Sequence, residues 1–411
     1  MKVDKKKILV VFGTRPEAIK MAPLVNRLKE QKDIFEINVC VTGQHKEMLY
    51  SILSLFDIQP DYDLNIMKKE QDLYDITVNV LIGVREVLKR LSPDIVLVHG
   101  DTTTSMAAAL AAFYQQIPVG HVEAGLRTYH LYNPFPEEIN RQFIDRIAAW
   151  HFAPTENAKK NLLAEGVQPD TVFVTGNTVI DSLFWSLNKI KQNENILNEV
   201  QKILIHNNLN STLLSAWHKQ ERRLILITGH RRENFGEGMQ QICKSVVVLA
   251  KRYSDCDFVY PVHLNPNVQL PVKDILAKEN LPNVFLLPPL DYLPFIYLMN
   301  LSTLILTDSG GVQEEAPGLG KPVLVMRETT ERPEAVDAGT VLLVGTSQHE
   351  IIDKVSLLLE NQAVYQEMTQ AVNPYGDGHA CERIIDCIKN HGKYINHTKK
   401  SLEKSLAGKN L

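Results

Sequence analysis

Short apolar runs that alternate with longer amphipathic or alanine-rich segments constrain the fold of this chain most strongly. Continuous apolar runs of this length are typical of parallel strands buried on both faces, and the segments between them are typical of covering helices. The pattern predicts an α/β protein whose first-half strands lie at residues 8–12, 37–42, 95–98, 119–122, 152–154 and 172–175. It predicts second-half strands at residues 224–228, 258–262, 284–287, 303–306, 323–326 and 341–344.

The length of the chain indicates more than one domain. With 411 residues it is too long for one ordinary core, so we expect two doubly wound domains of comparable size that face each other across a cleft. Residues 181–223 are rich in Asn, Lys and Gln and predict a linker with a solvated helix that leads into the second domain. The polar, Lys-rich tail beyond about residue 393 is expected to be frayed or disordered.

Composition excludes several classes of protein. Charged residues make up 22% of the chain and the formal net charge is −4, so no global basic field points to nucleic acid or to an anionic membrane. No apolar stretch is long enough for a membrane span, and the apolar run at residues 8–12 is too short for a signal peptide. The five cysteines are scattered and form no CxxC pair, which favours a reducing cytoplasm over a disulfide framework or a zinc site.

The segment TDSGGVQEEA at residues 307–316 carries the first chemical signal. Ser309, Gly310 and Gly311 follow an apolar strand and precede a helix, whose N-terminal N–H groups form a phosphate cradle. Carboxylates then follow where phosphate loops usually place a lysine, and carboxylates accept hydrogen bonds from sugar or ribose hydroxyls. The segment therefore suggests a nucleotide-sugar diphosphate, and the alternative is an ordinary strand-to-helix turn.

Polar residues crowd the carboxyl ends of the predicted strands, which is where open parallel sheets bind ligands. Asp101 and Glu123 are separated by the length of a strand–helix–strand crossover and would lie on neighbouring strand ends. Neighbouring strands are about 4.8 Å apart, so one carboxylate can raise the pKa of the other, which is an arrangement suited to acid–base catalysis. The alternative is that Asp101 caps a helix that begins near Thr103.

Further candidates lie in two other loops. Glu138 is expected as a first-turn acid that the helix dipole favours, and the functional alternative is that Glu137 points into the cleft. His230 follows a strand and precedes two arginines, so it is an acid, a phosphate ligand or a structural histidine. Metal and dinucleotide sites are disfavoured, since the histidines are dispersed and the first strand is followed by GTRPEA rather than GxGxxG.

Ten segments occur together and in order: FGTRPEAIKMAPL, VHGDTTT, GHVEAGLRT, PEEINR, TGNTVID, TGHRREN, PVHLNPNV, LTDSGGVQEEAP, GKPVLVMRETTERPEA and NPYGDG. With them the chain resembles the non-hydrolysing UDP-N-acetylglucosamine 2-epimerases from residue 8 to about residue 388. The resemblance implies interconversion of UDP-N-acetylglucosamine and UDP-N-acetylmannosamine, without a redox cofactor, for cell-surface polysaccharide synthesis. It also implies a homodimer and two Rossmann-like domains of the glycosyltransferase-B architecture. A final helix at residues 380–390 would return to the N-terminal domain, giving domains at 1–178 with about 375–411, and at 179–374.

The resemblance also assigns roles to residues. The positions that match the family's catalytic candidates are Asp101, Glu123, Glu137 and His230. Those that match its UDP-sugar contacts are Arg15, Lys20, Ser309, Gly310, Gly311, Glu315 and Arg332, with Glu315 expected on the ribose hydroxyls. Some bacterial members bind a second UDP-N-acetylglucosamine as an allosteric activator, and the matching positions are Gln44, Glu137, Arg231 and His263.

The chain departs from the family pattern at few positions: Phe135 and Ile139 replace residues that are often Trp and Ala, Gly318 replaces a common Ser, and residues 193–222 differ in length and sequence. The implied mechanism is elimination of UDP to 2-acetamidoglucal followed by re-addition, with groups on both faces of C2 drawn from Asp101, Glu123 and Glu137. Rival classes are a retaining glycosyltransferase, a hydrolysing epimerase and a non-enzymatic UDP-sugar sensor.

Overall fold

The structure is a computed structural model that describes residues 5–43, 46–66 and 70–390. The chain forms two compact units. Unit 1 contains the described residues up to Ser182 together with those from Tyr375 onward, and unit 2 contains Leu183–Pro374. Each unit is built around one parallel sheet covered by helices, so the prediction of two doubly wound α/β domains is confirmed.

The sheet of unit 1 has seven strands in the order β3-β2-β1-β4-β5-β6-β7. Its strands are β1 Lys6–Phe12, β2 Phe35–Val41, β3 Tyr62–Asp63, β4 Ile95–His99, β5 Val119–Val122, β6 Trp150–Ala153 and β7 Val172–Val174. Its helices are α1 Arg15–Glu30, α2 Lys46–Leu55, α3 Leu73–Leu91, α4 Thr103–Tyr114, α5 Glu137–Ile147 and α6 Glu156–Ala164. A 3-10 turn at Pro169–Thr171 precedes β7.

The sheet of unit 2 has six strands in the order β10-β9-β8-β11-β12-β13. Its strands are β8 Arg223–Thr228, β9 Cys256–Pro261, β10 Val284–Leu287, β11 Leu304–Thr307, β12 Val323–Val325 and β13 Val341–Leu343. Helix α7, Thr178–Gln192, enters this unit from unit 1. The helices that follow are α8 Glu194–His206, α9 Ser211–His218, α10 Glu237–Arg252, α11 Pro266–Pro271, α12 Tyr292–Leu301, α13 Gly310–Gly318, α14 Pro333–Asp337, α15 Gln348–Glu360 and α16 Gln362–Gln370. A 3-10 turn at Arg232–Asn234 and a π-helix at Val272–Ala277 complete the unit.

The order in which successive strands are added to the sheet reverses between β1 and β4 in unit 1, and between β8 and β11 in unit 2. At such a point the helices that follow the two strands cover opposite faces, which leaves a crevice at the carboxyl ends of the strands. Every predicted strand is present with ends that differ by two residues at most. The additional strand β3 has only two residues, which is too short for a periodic signal.

Local sequence explains where the helices start and which face they bury. In α1, Thr14 caps the helix and Glu17 completes a capping box. In α3, Val80, Val84 and Val87 recur at helical spacing and are buried. The alanines of α4 are small enough for α3 and α4 to pack closely, and both helices contribute to the core of unit 1.

The prediction of a linker with a solvated helix at residues 181–223 is wrong. The segment forms helices α7, α8 and α9, which bury Val200, Leu204 and Leu214. Trp217 is 2% exposed, and its indole N–H donates a 2.8 Å hydrogen bond to Asp257. The Asn, Lys and Gln residues that suggested a linker cover the outer faces of amphipathic helices whose inner faces belong to unit 2.

The last described helix, α17 (Ala380–Asn390), lies in unit 1 and packs on α1. The Asp181 carboxylate accepts hydrogen bonds from the N–H groups of Ala380 (3.2 Å) and Cys381 (2.9 Å) and so fixes the start of this helix. The tail for which fraying was expected lies outside the described residues. Among the helices of the described residues, none combines the length and the apolar character that crossing a bilayer requires.

Candidate active site

The turns after β1 and β4 are tied together by Glu17, which is 2% exposed. One carboxylate oxygen accepts from the N–H groups of Gly13 (3.0 Å) and Thr14 (2.7 Å). The other accepts from the hydroxyls of Thr102 (2.6 Å) and Ser105 (2.9 Å). Glu17 therefore fixes the starts of α1 and α4 at the reversal point of the sheet, and the Thr-x-x-Glu pattern of a capping box was a sequence signal that could have identified it.

Glu123 follows β5 and has a left-handed backbone with φ of 67°. Its carboxylate forms an ion pair with Lys20, accepts a 2.7 Å hydrogen bond from Asn177, and lies 3.6 Å from Nε2 of His99. Burial acts to raise the pKa of Glu123, but Lys20 and His99 outweigh it and hold that pKa well below its usual range. Glu123 is therefore ionised at neutral pH.

Asp101 lies beyond the end of β4, the strand that pairs with β5. Arg141 donates a 2.7 Å hydrogen bond to its carboxylate, and Asn140 donates a 2.9 Å bond to its carbonyl oxygen. Burial nevertheless raises the pKa of Asp101; Arg141 opposes this effect and the Glu123 charge adds to it. Two carboxyl groups on adjacent strand ends thus have pKa values displaced in opposite directions, which is the arrangement that separates a base from an acid.

The alternative role for Asp101, as the cap of the helix near Thr103, is wrong. Thr102 is the capping residue of α4, and its hydroxyl accepts a 3.0 Å hydrogen bond from the Ser105 N–H. Asp101 is therefore available for another purpose, with its carboxylate held by a residue of α5.

The two acids that open α5 have different surroundings. Glu138 is fully buried and accepts hydrogen bonds from the N–H groups of Thr128 (3.0 Å) and Tyr129 (3.1 Å), so it fastens the preceding loop. Glu137 is the first residue of the helix and is partly exposed. Glu137 thus stays a candidate for chemistry, while the contacts of Glu138 account for its burial.

Arg15 and Lys20 lie on α1. The Arg15 side chain has no hydrogen-bond or ion-pair partner within residues 5–43, 46–66 and 70–390, whereas Lys20 contacts Glu123. Sequence reasoning treated Lys20 as a substrate contact and did not foresee that it sets the charge of Glu123. His99 and Asn177 lie within the segments VHGDTTT and TGNTVID, but sequence reasoning assigned neither residue a role.

In unit 2, Asp308 organises the turn after β8. It is 0% exposed, and one of its oxygens accepts from the N–H groups of His230 and Arg231 at 2.8 Å each and from Asn234 at 3.1 Å. A single carboxylate on β11's end therefore sets the positions of His230 and Arg231. Sequence reasoning quoted this residue within TDSGG but assigned it no role.

His230 stacks on His263, with ring centroids 5.3 Å apart and an interplanar angle of 21°. Burial lowers the pKa of His230, and His263 and Arg231 lower it further against the opposing effect of Asp308. His230 is consequently an uncharged imidazole at neutral pH, in a position where an arriving anion would favour its protonation.

The N-terminus of α13 is flanked by two guanidinium groups. A side chain at Gly310 would place its first carbon 3.6 Å from Nη2 of Arg231 and 3.8 Å from Nη2 of Arg332. Ser309 is the capping residue, and no side-chain hydrogen bond caps the helix. A helix N-terminus beside two guanidinium groups favours a bound anion more strongly than an ordinary strand-to-helix turn would.

Glu314 and Glu315, the two acids of α13, have different hydrogen-bond partners. Glu314 accepts a 2.5 Å hydrogen bond from Nε of Arg332 and so orients that guanidinium. Glu315 is 7% exposed and accepts a 3.0 Å hydrogen bond from the Tyr292 hydroxyl. The residues that orient Arg332 and Glu315 were not identified from the sequence.

The four positions matched to an activator site are only partly described. Arg231 and His263 both lie beside His230 in unit 2, and Glu137 belongs to unit 1. Gln44 lies outside the described residues. In the part of the chain that the structure describes, no group of three or more His, Cys, Asp or Glu side chains is arranged to hold a metal ion.

Comparison with known proteins gives matches over nearly the whole chain. The family described as UDP-N-acetylglucosamine 2-epimerase matches residues 26–389. A UDP-N-acetylglucosamine 2-epimerase of Yersinia pestis is 56% identical over 94% of this chain and 99% of that protein. The enzyme of that name from Escherichia coli K12 is 54% identical over the same shares. The crystal structure of UDP-GlcNAc 2-epimerase from Neisseria meningitidis bound to UDP-GlcNAc is similar with a TM-score of 0.81 and 52% identity, covering 93% of this chain and 99% of that one.

Proposed function

The chain belongs to the UDP-N-acetylglucosamine 2-epimerase family, and from that premise we propose that it interconverts UDP-N-acetylglucosamine and UDP-N-acetylmannosamine by inverting C2. The structural observation that supports this proposal independently of the family match is the pair of carboxyl groups of Asp101 and Glu123. These carboxyl groups follow neighbouring strands, and their surroundings displace their pKa values in opposite directions.

The chemistry explains why a leaving-group site must accompany the acids. The C2 proton of an N-acetylhexosamine is not adjacent to a carbonyl, so a carboxylate cannot remove it directly. When the anomeric C–O bond breaks, the electron pair leaves with UDP and the developing oxocarbenium acidifies the C2 proton. Loss of that proton gives 2-acetamidoglucal. Re-addition of UDP at C1, with a proton delivered to the opposite face of C2, completes the inversion.

The environments of the two acids suggest their roles. Glu123 is ionised beside Lys20, so it accepts the C2 proton in one direction of the reaction. The raised pKa of Asp101 favours its protonated form, and it delivers a proton to the other face. Microscopic reversibility exchanges these roles in the reverse direction. Glu137 is the third candidate for a group that transfers the C2 proton, and its substitution should be compared with those of Asp101 and Glu123.

Unit 2 supplies groups suited to holding UDP. Arg231, Arg332 and the N-terminus of α13 would stabilise the charge that develops on the departing diphosphate. Uncharged His230 would gain a proton as that charge develops, and Glu315 would accept hydrogen bonds from the ribose hydroxyls. The same UDP must be retained after bond cleavage because it adds back to the glycal.

Incubation of the enzyme with UDP-N-acetylglucosamine alone in deuterium oxide tests the reaction. We expect UDP-N-acetylmannosamine with deuterium at C2, detected by proton NMR. Absence of deuterium at C2 would exclude proton abstraction there. Free N-acetylmannosamine as the product would indicate a hydrolysing epimerase, and turnover only with an added acceptor would indicate a glycosyltransferase.

We also propose a homodimer and activation by a second UDP-N-acetylglucosamine. Exposed apolar residues Tyr74, Val78 and Ile82 share one face of α3 and offer a surface for a second copy. Light scattering should give twice the chain mass of 46.5 kDa, and a monomeric mass would contradict the dimer.

Activation by a second UDP-N-acetylglucosamine predicts sigmoidal kinetics. Hyperbolic kinetics in both directions of the reaction would contradict it.

A further inference from the structure

A fully buried ionic cluster lies behind the strand ends that carry Asp101 and Glu123. His121 of β5 is 0% exposed, and its Nδ1 lies 2.5 Å from Asp145 Oδ1. Its Nε2 lies 2.7 Å from the carbonyl oxygen of Gly100. The reaction described above uses neither His121 nor Asp145.

The geometry fixes the protons of His121. A carbonyl oxygen only accepts, so Nε2 must carry a hydrogen and donate it to Gly100. The second oxygen of Asp145 accepts from Arg127 (2.7 Å) and from the Gly125 N–H (3.2 Å), which favours an ionised carboxylate. Burial acts to raise the pKa of Asp145, but His121 and Arg127 outweigh it and hold that pKa below its usual range. With Asp145 ionised, Nδ1 also carries a hydrogen, and His121 is an imidazolium.

This cluster holds the two turns that carry the acids. Gly100, with φ of 62°, directly precedes Asp101, and Gly125, with φ of 88°, follows Glu123 by two residues. Glu123 itself is left-handed, a conformation that costs free energy and persists only where the surroundings fix it. His121 bonds the first turn and Asp145 bonds the second, so one ion pair links the backbones of both.

We propose that His121, as a buried imidazolium, is a positioning residue of the epimerase reaction that fixes Asp101 relative to Glu123 through Gly100 and Asp145. The inference rests on the proposed function of these two acids. The titratable groups that face the cluster are Arg127, which also pairs with Glu165, and His151, whose Nε2 donates a 2.7 Å hydrogen bond to the Asp145 carbonyl. Burial lowers the pKa of His151, so this neighbour is uncharged and does not oppose the charge of His121.

The first experiment compares His121→Gln with His151→Gln. His151 is a matched control, because it pairs with His121 in register on β6 and is 2% exposed, yet its hydrogen bonds reach neither Gly100 nor the Asp145 carboxylate. Displacement of a reacting group by about 1 Å can cost roughly 100-fold in rate, so we expect kcat of His121→Gln to fall about 10- to 100-fold. KM and UDP affinity should stay within about twofold, and kcat of His151→Gln within about threefold, as expected for variants that keep the binding groups.

Nonadditivity shows whether His121 acts through Asp101. On an Asp101→Asn background, His121→Gln should lower the residual kcat by less than about threefold, because the group that it positions is already absent. Equal losses with and without Asp101 would overturn the proposal. So would a folded His121→Gln enzyme with wild-type kcat, or one impaired no more than His151→Gln.

A measurement without turnover covers the case in which His121→Gln does not fold. Nitrogen-15 NMR of histidine-labelled wild-type enzyme should show a hydrogen on both ring nitrogens of His121, because Nε2 donates to the Gly100 carbonyl and Nδ1 to the Asp145 carboxylate. A ring with a hydrogen on only one nitrogen would overturn the proposal. Failure of the epimerase assignment would appear differently, as wild-type enzyme that forms no C2 epimer while His121 keeps both protons.

Discussion

Replacing Glu123 by Gln should separate the structural part of the Lys20–Glu123 ion pair from its catalytic part. The two side chains are 13% and 9% exposed, so water screens their interaction weakly. Removing one partner of a fully buried pair costs about 3–5 kcal/mol, and the residual exposure of this pair reduces the expected cost to about 2–3 kcal/mol. Lys20→Met should cost a similar amount, because the carboxylate then lacks that counter-charge.

The double variant Lys20→Met/Glu123→Gln removes both charges together. Replacement of a buried pair by neutral groups is often close to neutral, so we expect stability within about 1 kcal/mol of the wild type and a coupling free energy of at least about 2 kcal/mol. The exposed pair Lys251–Glu279, at 54% and 40% exposure, is the matched control. Its corresponding double variant should give a coupling below about 1 kcal/mol.

Hydrogen exchange of β4 and β5 measures these free energies locally, since a chain with two units need not unfold in one step. Activity should follow a different pattern: both Glu123→Gln and the double variant should lose about 100- to 10,000-fold in kcat and in deuterium incorporation at C2. A double variant that regains activity would refute the role of Glu123 as a base. Glu123→Gln with wild-type protection of β5 would refute the energetic argument.

Three further outcomes test the contacts in unit 2. Glu315→Ala should weaken UDP binding by about 10- to 100-fold in calorimetry, because a hydrogen bond to a charged group contributes about 1.5–3 kcal/mol. The control is Tyr292→Phe, which removes only the hydroxyl that donates to Glu315 and should change the UDP affinity far less. Because its pKa is lowered, His230 is uncharged at neutral pH in the free enzyme. A bound diphosphate favours the protonated ring and so raises this pKa. The affinity for UDP-N-acetylglucosamine should therefore increase several-fold as pH falls from about 7.5 to 5.5. Calorimetry on Asp101→Asn enzyme avoids turnover, and His230→Asn should abolish this increase; a persisting increase would contradict the assignment. Trp217→Ala should cost about 3–5 kcal/mol in the stability of unit 2, because the indole is 2% exposed and donates a hydrogen bond to Asp257. The kcat at low temperature should stay unchanged. Unchanged stability would mean that α9 adds little to the core.

The error over residues 181–223 shows where local composition misleads. Asn, Lys and Gln are typical of linkers, but on α8 they alternate with Val200 and Leu204 at helical spacing. The spacing was present in the sequence, whereas the partner of the apolar face was not. Only the tertiary structure supplies the rest of unit 2 that buries Trp217 and the apolar faces of these helices.

The sequence by itself determined the positions of the strands and the family of the chain. Parallel strands buried on both faces need continuous apolar runs, and the polar residues that follow them reach the same edge of the sheet. Both are local properties that can be read along the chain. Asp101, Glu123, His230 and the segment around Gly310 could therefore be predicted as site residues before any contact was known.

The tertiary structure decided which of these groups is charged and what holds each one in place. Glu123 is ionised because Lys20, 103 positions away in the chain, lies against it, and Asp101 is not equivalent because burial outweighs Arg141. Asp308 and His121 act on backbone groups of distant turns. Desolvation and Coulomb interactions depend on distances in space, and those distances exist only once the chain has folded.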